Sequence, residues 1–112
     1  MEKTIKNIIN LAHNVVEDRR ECKYTFTFKG SKGEFSIRQT PITSYFDSDD
    51  GKYKLDQTTR VELKVEGVVV FAADNHNKES EYFAAELLET LKHTAKEERK
   101  DKRQEIFDLC GF

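Results

Sequence analysis

Residues 45–55, YFDSDDGKYKL, hold three aspartates and a glycine between aromatic residues. An EF-hand calcium loop needs ligand oxygens at its first, third, fifth and twelfth positions and glycine at its sixth. With Gly51 as the sixth position, Phe46 is the first and Gln57 the twelfth, and neither offers a carboxylate. Aspartate and glycine are also common in turns, because Asp side chains accept hydrogen bonds from nearby backbone N–H groups and glycine adopts positive φ. We therefore predict a plain turn at 47–51, the tip of an antiparallel hairpin.

The two arms of this hairpin alternate in polarity. After the turn, the residues predicted to share one face all occupy odd positions: Tyr53, Leu55, Gln57, Thr59, Val61, Leu63 and Val65. Since successive strand side chains point to opposite faces, we predict one long strand over 53–65. Before the turn, Phe35 and Ile37 alternate up to Pro41, and the pattern resumes at Ile42 shifted by one residue. Proline cannot donate to a strand ladder, so we predict a bulge there.

Two further segments have the pattern of strands. In CKYTFTFKG, Cys22 and three aromatic residues alternate with lysine and threonine, which predicts a strand with Cys22 on its buried face. In VVVFAA (68–73) both faces are apolar, which is typical of a strand that is covered on both sides or lies at an interface. We take Val69 and Phe71 as candidate interface residues. With the hairpin, these segments predict a four-stranded antiparallel meander over 22–74.

Helical patterns flank the strands. Apolar residues at spacings of three and four predict a helix over 4–19. A second helix is predicted over 78–109, with Asn77 or Ser80 as its N-cap. Its residues 96–105 include no apolar side chain, so we expect them to leave the body as a solvated arm of about 15 Å. The order α-β-β-β-β-α predicts a single two-layer α+β domain with both helices on one face of the sheet.

Composition narrows the function classes. The chain of 112 residues is 36% charged, yet its net charge is only −2. This balance gives no strong field that would draw a nucleic acid or a membrane from a distance. No stretch approaches the about 20 apolar residues that span a bilayer. Two cysteines are fewer than a disulfide-stapled secreted domain usually carries. We predict a reduced, cytoplasmic protein without membrane association.

No catalytic constellation is visible in the sequence. It lacks a nucleophile elbow, a phosphate-binding loop and the CxxC and HExxH patterns of zinc sites. Its three histidines, at positions 13, 76 and 93, are not spaced for shared metal coordination. We therefore predict a protein that is not an enzyme, with no catalytic residue, no metal and no cofactor.

The C-terminus is the most unusual feature. After the charged arm, the chain becomes apolar again in IFDLCGF. Burying one large apolar side chain contributes roughly 1.5–3 kcal/mol, so these residues favour docking. The tail either folds back on its own domain or frays, or it anchors a partner protein or a second copy of the chain. For the anchoring interpretation we predict partner contacts by Ile106, Phe107, Leu109, Phe112, Arg99 and Arg103.

Our first hypothesis is a non-enzymatic protein-binding module, a regulator or inhibitor that occupies the surface of a partner protein. The size, the balanced charge and the lack of catalytic groups resemble those of the small accessory proteins of bacteriophages and mobile elements. This resemblance implies such a regulatory role.

The alternative hypothesis is the binding of single-stranded nucleic acid. The order ββββα is similar to that of the whirly and PUR-type single-strand binders, and this resemblance implies binding across the sheet. Single-strand binders stack bases on exposed aromatic rings, whereas the rings here are predicted to face the core. The basic positions that would carry this function on the solvent face are Arg38, Lys54, Arg60 and Lys64.

Overall fold

The computed structural model describes residues 2–111, which form an α+β fold of two helices and seven strands. The helices are α1 (Glu2–Asn10) and α2 (Lys78–Cys110). The strands, in chain order, are β1 (His13–Asp18), β2 (Lys23–Phe28), β3 (Ser31–Gln39), β4 (Thr43–Asp47), β5 (Lys52–Asp56), β6 (Thr59–Val65) and β7 (Val68–Asp74).

Five of these strands form an antiparallel sheet in the order β1-β2-β3-β6-β7. Strands β4 and β5 pair with each other in a separate two-stranded unit, residues 43–56, which we call the ribbon. In the centre of the sheet Phe35 lies opposite Leu63, and both are buried. The predicted inward side of the sheet is confirmed, because Phe26 is 4% exposed and Phe35 is 0% exposed.

Both helices pack on the inward face of the sheet. The N-cap of α2 is Asn77, one of the two predicted candidates, and its side-chain oxygen accepts a hydrogen bond from the backbone N–H of Ser80 at 3.2 Å. The ring of Phe83 meets the ring of Phe71 on β7 edge to face, with centroids 5.3 Å apart. The helix residues that complete the core are Ile5, Ile8 and Ile9 of α1 and Phe83, Ala84, Leu87, Leu91 and Ala95 of α2.

A glycine permits tight packing between β2 and β3. Gly33 lies directly opposite Phe26, and a Cβ atom at this position would overlap the phenylalanine ring. Because Phe26 is buried in a close-packed core, its ring cannot move aside cheaply. The sheet therefore requires glycine here for space.

The predicted helix over 4–19 is wrong in its second half. α1 ends at Asn10, and β1 follows as the edge strand beside β2. The segment contains Val15 and Val16, and β-branched residues of this kind favour strands over helices. The sheet consequently has one strand more at this edge than the sequence pattern predicted.

A bulge in β1 explains why this strand imitates a helix. Asn14 has a φ of 52°, and β1 places one more residue than β2 between two neighbouring pairs. The extra residue turns Val15 inward and leaves Val16 60% exposed. With Val15 turned inward, the two buried residues Ala12 and Val15 have a spacing of three positions, which is also a helical spacing.

The predicted long hairpin is divided, so a five-stranded sheet and the ribbon replace the four-stranded meander. The predicted strand over 53–65 is interrupted at Gln57 and Thr58, between β5 and β6. Across this break, the three residues 40–42 lie opposite the two residues Gln57 and Thr58. The extra residue confirms the predicted one-residue shift at Pro41. Side-chain hydroxyl and amide groups at the break bond to backbone groups of the facing segment, in competition with regular pairing.

Cys22 was predicted on the buried face of a strand, and this prediction is wrong. The residue is exposed and has a left-handed φ of 51°. β2 begins one residue later, at Lys23, so the aromatic alternation of the strand starts without the cysteine.

The molecule is elongated, with extents of 67 × 33 × 21 Å. Its Cα radius of gyration is 18.2 Å, whereas a compact domain of this size has about 13 Å. Helix α2 has 33 residues and is therefore about 50 Å long. It starts at the base of the ribbon, where the side-chain N–H of Asn75 donates to the carbonyl oxygen of Gln57 at 2.9 Å. The ribbon and the C-terminal end of α2 thus lie at opposite ends of the molecule.

Candidate binding surfaces

The ribbon exposes large apolar side chains on one of its faces. Phe46 and Tyr53 lie opposite each other, with ring centroids 5.3 Å apart. Leu55 lies next on the same face, opposite Ser44. Tyr53 is 79% exposed and Leu55 is 75% exposed. We call this surface, made of Ser44, Phe46, Tyr53 and Leu55, the ribbon face; Ile42 adjoins it at the base of the ribbon and is also exposed.

The ribbon face is bare because α2 runs away from it. Tyr53 and Leu55 share their odd positions with Val61 and Leu63, and the sequence pattern therefore predicted all of them to face the core. In the structure α2 begins at Lys78, beside the base of the ribbon. From there it packs on the sheet and does not cover the ribbon. The prediction is wrong for Tyr53 and Leu55, since their face continues beyond the reach of the helix.

The tip of the ribbon is the predicted turn, and an ion cluster supports it. The backbone N–H of Gly51, with φ 69°, donates to the carbonyl oxygen of Asp47 at 2.9 Å. The ammonium of Lys54 lies 2.7 Å from a carboxylate oxygen of Asp47 and 3.0 Å from one of Asp50. The hydrogen bond from Lys54 holds the pKa of Asp47 below its ordinary value, and the two carboxylates raise the pKa of Lys54. The aspartates thus hold the turn together as a local ion cluster.

The last part of α2 extends beyond the sheet. Near the edge of the body, the backbone N–H of Val15 donates to the Glu98 carboxylate at 3.0 Å. Farther along, Ile106 is 50% exposed and Leu109 is 83% exposed, and Phe107 beside them is 44% exposed. We call residues 106–110 the helix end. Phe112, also predicted to contact a partner, lies outside the described residues.

Basic side chains precede the helix end on the same side of α2. Arg99, Arg103, Ile106 and Cys110 recur at spacings of four and three, which places them on one helix face. Lys102 adjoins this face. Within residues 2–111, the structure shows no ion pair for Arg99, Lys102 or Arg103. Of the predicted contact residues, Arg99, Arg103 and Ile106 are thus brought to one side of a projecting helix, with Phe107 and Leu109 on the two flanks of this face.

The candidate interface residues Val69 and Phe71 lie on the edge strand β7 but on different faces. Val69 lies opposite Lys64 and is 46% exposed. Phe71 lies opposite Leu63 and packs on Phe83, so it belongs largely to the core. The structure leaves Val69 as the more accessible of the two.

The four basic positions of the nucleic-acid hypothesis are dispersed. Arg38 and Arg60 lie directly opposite each other in the sheet, and Lys64 lies opposite Glu34. Lys54 is on the ribbon, held by two aspartates. The structure brings the two arginines together and separates the other two positions from them.

A cleft of about 230 Å³ lies between the start of α2 and the sheet. Apolar side chains such as Val61 and Leu88 line it, together with the carboxylates of Asp74 and Glu81. Among residues 2–111, no group of three or more His, Cys, Asp and Glu side chains is placed to hold a metal ion. Burial, followed by the charge of Glu17, raises the pKa of Tyr24, which stays a neutral core residue. The cleft is thus lined mostly by apolar side chains, from residues such as Phe35, Ile37 and Val61.

Neither described helix combines the length and the apolar character needed to cross a membrane.

The sequence analysis did not identify the ribbon face as a binding surface, because the alternation assigned its residues to the core. The available signal was the interruption of the strand at Gln57 and Thr58.

No family model matches the chain, and neither does any curated protein or any solved structure.

Proposed function

We propose that this chain is a non-enzymatic protein-binding module, a small regulator or inhibitor that acts by occupying the surface of a partner protein. The observation that supports this proposal is the exposed apolar helix end, carried on a helix that projects from the body. Ile106 and Leu109 are at least half exposed, on a segment that is already ordered as a helix. A helix that is formed before binding loses less conformational entropy on docking than a disordered tail does.

The proposed mode of binding is a helix laid in a groove of the partner. Such helices insert apolar side chains at spacings of three and four, and Ile106, Leu109 and Cys110 have these spacings. Each large apolar side chain that becomes buried contributes roughly 1.5–3 kcal/mol. The cations Arg99 and Arg103 then favour a partner with an acidic rim beside its groove, which speeds association and selects the orientation.

Removal of the helix end tests this function. A variant without residues 104–112 is expected to keep its core, because Ala95 is the last buried residue of α2 among the described residues. It is expected to unfold at the same urea concentration as the full chain and to lose the partner. The measurement is quantitative capture from lysate of the cells that make the protein, at a bait concentration below that of any self-association.

A point variant gives the matched comparison. Ile106→Glu with Leu109→Glu is expected to reduce capture at least about tenfold, since two apolar anchors are lost. Leu11→Glu with Val68→Glu changes two other exposed aliphatic side chains, which are 53% and 62% exposed, and is expected to leave capture unchanged. Full capture by the truncated chain would overturn the proposal and leave Val69 of β7 as the next surface to test.

The second candidate function, the binding of single-stranded nucleic acid, is favoured by one observation. Arg38 lies directly opposite Arg60. The Nε of Arg60 lies 3.3 Å from the Glu62 carboxylate, whereas the structure shows no ion pair for Arg38 within residues 2–111, so an external anion such as a phosphate can pair with it. Fluorescence anisotropy with labelled oligonucleotides tests this function, and the affinity is expected to fall steeply with salt. Arg38→Gln with Arg60→Gln should abolish binding, whereas Arg19→Gln with Arg20→Gln should not. A flat titration at low salt excludes the function.

A further inference from the structure

We propose that the ribbon face of one copy is covered by the helix end of a second copy, in a two-fold dimer that uses each ribbon and each helix end once. The inference rests on the proposed function, because it assigns an occupant to the same helix end in the protein without another partner. A different partner with a similar helix would compete for the same ribbon face.

The first argument is that the ribbon face is a sheet face without its helix. In the body, α2 covers the inward positions of β6, including Leu63. The ribbon extends the same odd-numbered side with Leu55 and Tyr53, and α2 does not reach it. An apolar face of a sheet is stabilised when an amphipathic helix packs on it. The occupant that suits this face is therefore a helix with a short apolar stripe.

The second argument is that the chain itself carries such a helix, with matching length. Arg99 and Leu109 are ten residue steps apart, or about 15 Å along the helix. The five residues of β5 span about 17 Å of strand. When two copies lie antiparallel, the basic part of one arm lies over the base of the other ribbon, and Ile106 and Leu109 lie over its aromatic pair.

The third argument is charge complementarity in this arrangement. The base of the ribbon lies beside the start of α2, where Asp74 and Glu81 line the cleft. Neither carboxylate has an ion pair with another residue of the range 2–111, and the same holds for Arg99 and Arg103 of the arm. In this arrangement the cations Arg99 and Arg103 of the arm meet the carboxylates of Asp74 and Glu81 at the base.

The fourth argument is area, and it selects the two-fold arrangement. An aromatic side chain has about 150–250 Å² of surface, so one ribbon–helix contact buries on the order of 800 Å² in total. Stable interfaces bury about 1,200–2,000 Å², so a single contact is too small. A two-fold dimer makes two identical contacts at once and reaches this range. Open head-to-tail chains would have one contact for each junction.

Crosslinking between copies tests the contact directly. One protein carries Cys22→Ser, Cys110→Ser and Ser44→Cys, which places a thiol on the ribbon face. The other carries Cys22→Ser, Cys110→Ser and Arg103→Cys, which places a thiol on the arm about one turn before Ile106, level with the base half of the ribbon face. After mixing and oxidation with copper phenanthroline, a disulfide between the two proteins is expected, since it forms when the Cα atoms are within about 7 Å.

Thr43 supplies the matched control, because it neighbours Ser44 but lies on the opposite face of the ribbon. Thr43→Cys in place of Ser44→Cys is expected to give at least about tenfold less crosslinked product. Equal products from the two positions would overturn the proposal.

Sedimentation equilibrium tests the dimer without a crosslink. The full chain is expected to be a dimer at about 100 µM, since interfaces of this size have dissociation constants of about 1 µM or below. Tyr53→Ser with Leu55→Ser should raise the dissociation constant at least about a hundredfold, and so should Ile106→Ser with Leu109→Ser. Leu11→Ser with Val68→Ser, at two other exposed aliphatic side chains, should not change it.

A mixture of the ribbon variant and the helix-end variant gives the sharpest outcome. Each variant alone has no intact contact, whereas the mixed pair retains one of the two contacts. Recovery of a weak heterodimer is therefore expected only for a ribbon-to-helix interface. A full chain that stays monomeric, or that forms open chains, would overturn the proposed dimer. Capture of another protein in dilute solution does not depend on that result and tests the proposed function separately.

Discussion

The sheet body and the ribbon are built from one alternating stretch, residues 53–65, yet they lie in opposite environments. Leu63 in the body is 0% exposed, and Leu55 in the ribbon is 75% exposed. Both leucines occupy the side of the strand that alternation predicts to be apolar. The difference is the start of α2 at the base of the ribbon, which leaves one half covered and the other bare. Alternation assigns a side chain to a face, but a helix from a distant part of the chain decides whether that face is buried.

The largest expected difference separates these two leucines. Leu63→Ala should lower the free energy of unfolding by about 2–5 kcal/mol, because it leaves a cavity among close-packed neighbours. Leu55→Ala should change it by less than about 0.5 kcal/mol in dilute protein. Urea unfolding followed by circular dichroism measures both. Equal losses in dilute protein would mean that the ribbon folds back onto its own molecule.

Gly33 tests how tightly the body is packed compared with the ribbon. Gly33→Ala should cost about 1–3 kcal/mol of unfolding free energy, because the added methyl overlaps the ring of Phe26. Phe26→Leu should be less harmful in the Gly33→Ala background than in the original chain, since the smaller side chain relieves the overlap. A double-mutant cycle by urea unfolding measures this coupling. Additive losses would contradict the proposed clash.

Glu98 tests where the covered part of α2 ends. Its carboxylate accepts a hydrogen bond from the backbone N–H of Val15, at the bulge of β1. Glu98→Ala should lower the free energy of unfolding by about 1 kcal/mol. It should also speed the hydrogen exchange of the Val15 amide, measured by NMR. Glu97→Ala changes the neighbouring exposed residue and is the control. An unchanged exchange rate of the Val15 amide in Glu98→Ala would mean that the part of α2 packed on the sheet ends before residue 98.

The sequence predicted the elements that local patterns determine. The turn at 47–51, the inward rings of Phe26 and Phe35 and the register shift at Pro41 all follow from residue preferences within a few positions. The α+β class followed from the order of these elements. These features need no knowledge of the distant parts of the chain.

The sequence could not predict features that depend on distant packing. The bulge at Asn14 gives β1 the spacing of a helix, and the choice between them depends on pairing with β2. The bare ribbon depends on the point where α2 begins and on its direction. Of the candidate surfaces, the helix end was visible as apolar residues after a charged arm, whereas the ribbon face was hidden in an ordinary strand pattern.

The smallest expected effect concerns how the ribbon holds its shape without a core. Lys54 lowers the pKa of Asp47 in the folded chain, so this pair stabilises the ribbon above the ordinary carboxyl pKa and ceases to do so as the pH falls through the lowered value. Lys54→Met should return the pKa of Asp47 toward its ordinary value, measured by NMR titration of the carboxyl carbon. Lys64→Met, in the body of the sheet, is the control and should leave the pKa of Asp47 lowered. NMR contacts between the rings of Phe46 and Tyr53 report whether this pair persists in Lys54→Met at neutral pH. We expect it to persist, which would mean that aromatic pairing holds the ribbon and that the ion cluster shapes only its tip. Loss of that contact would make the ion cluster the element that replaces the missing helix.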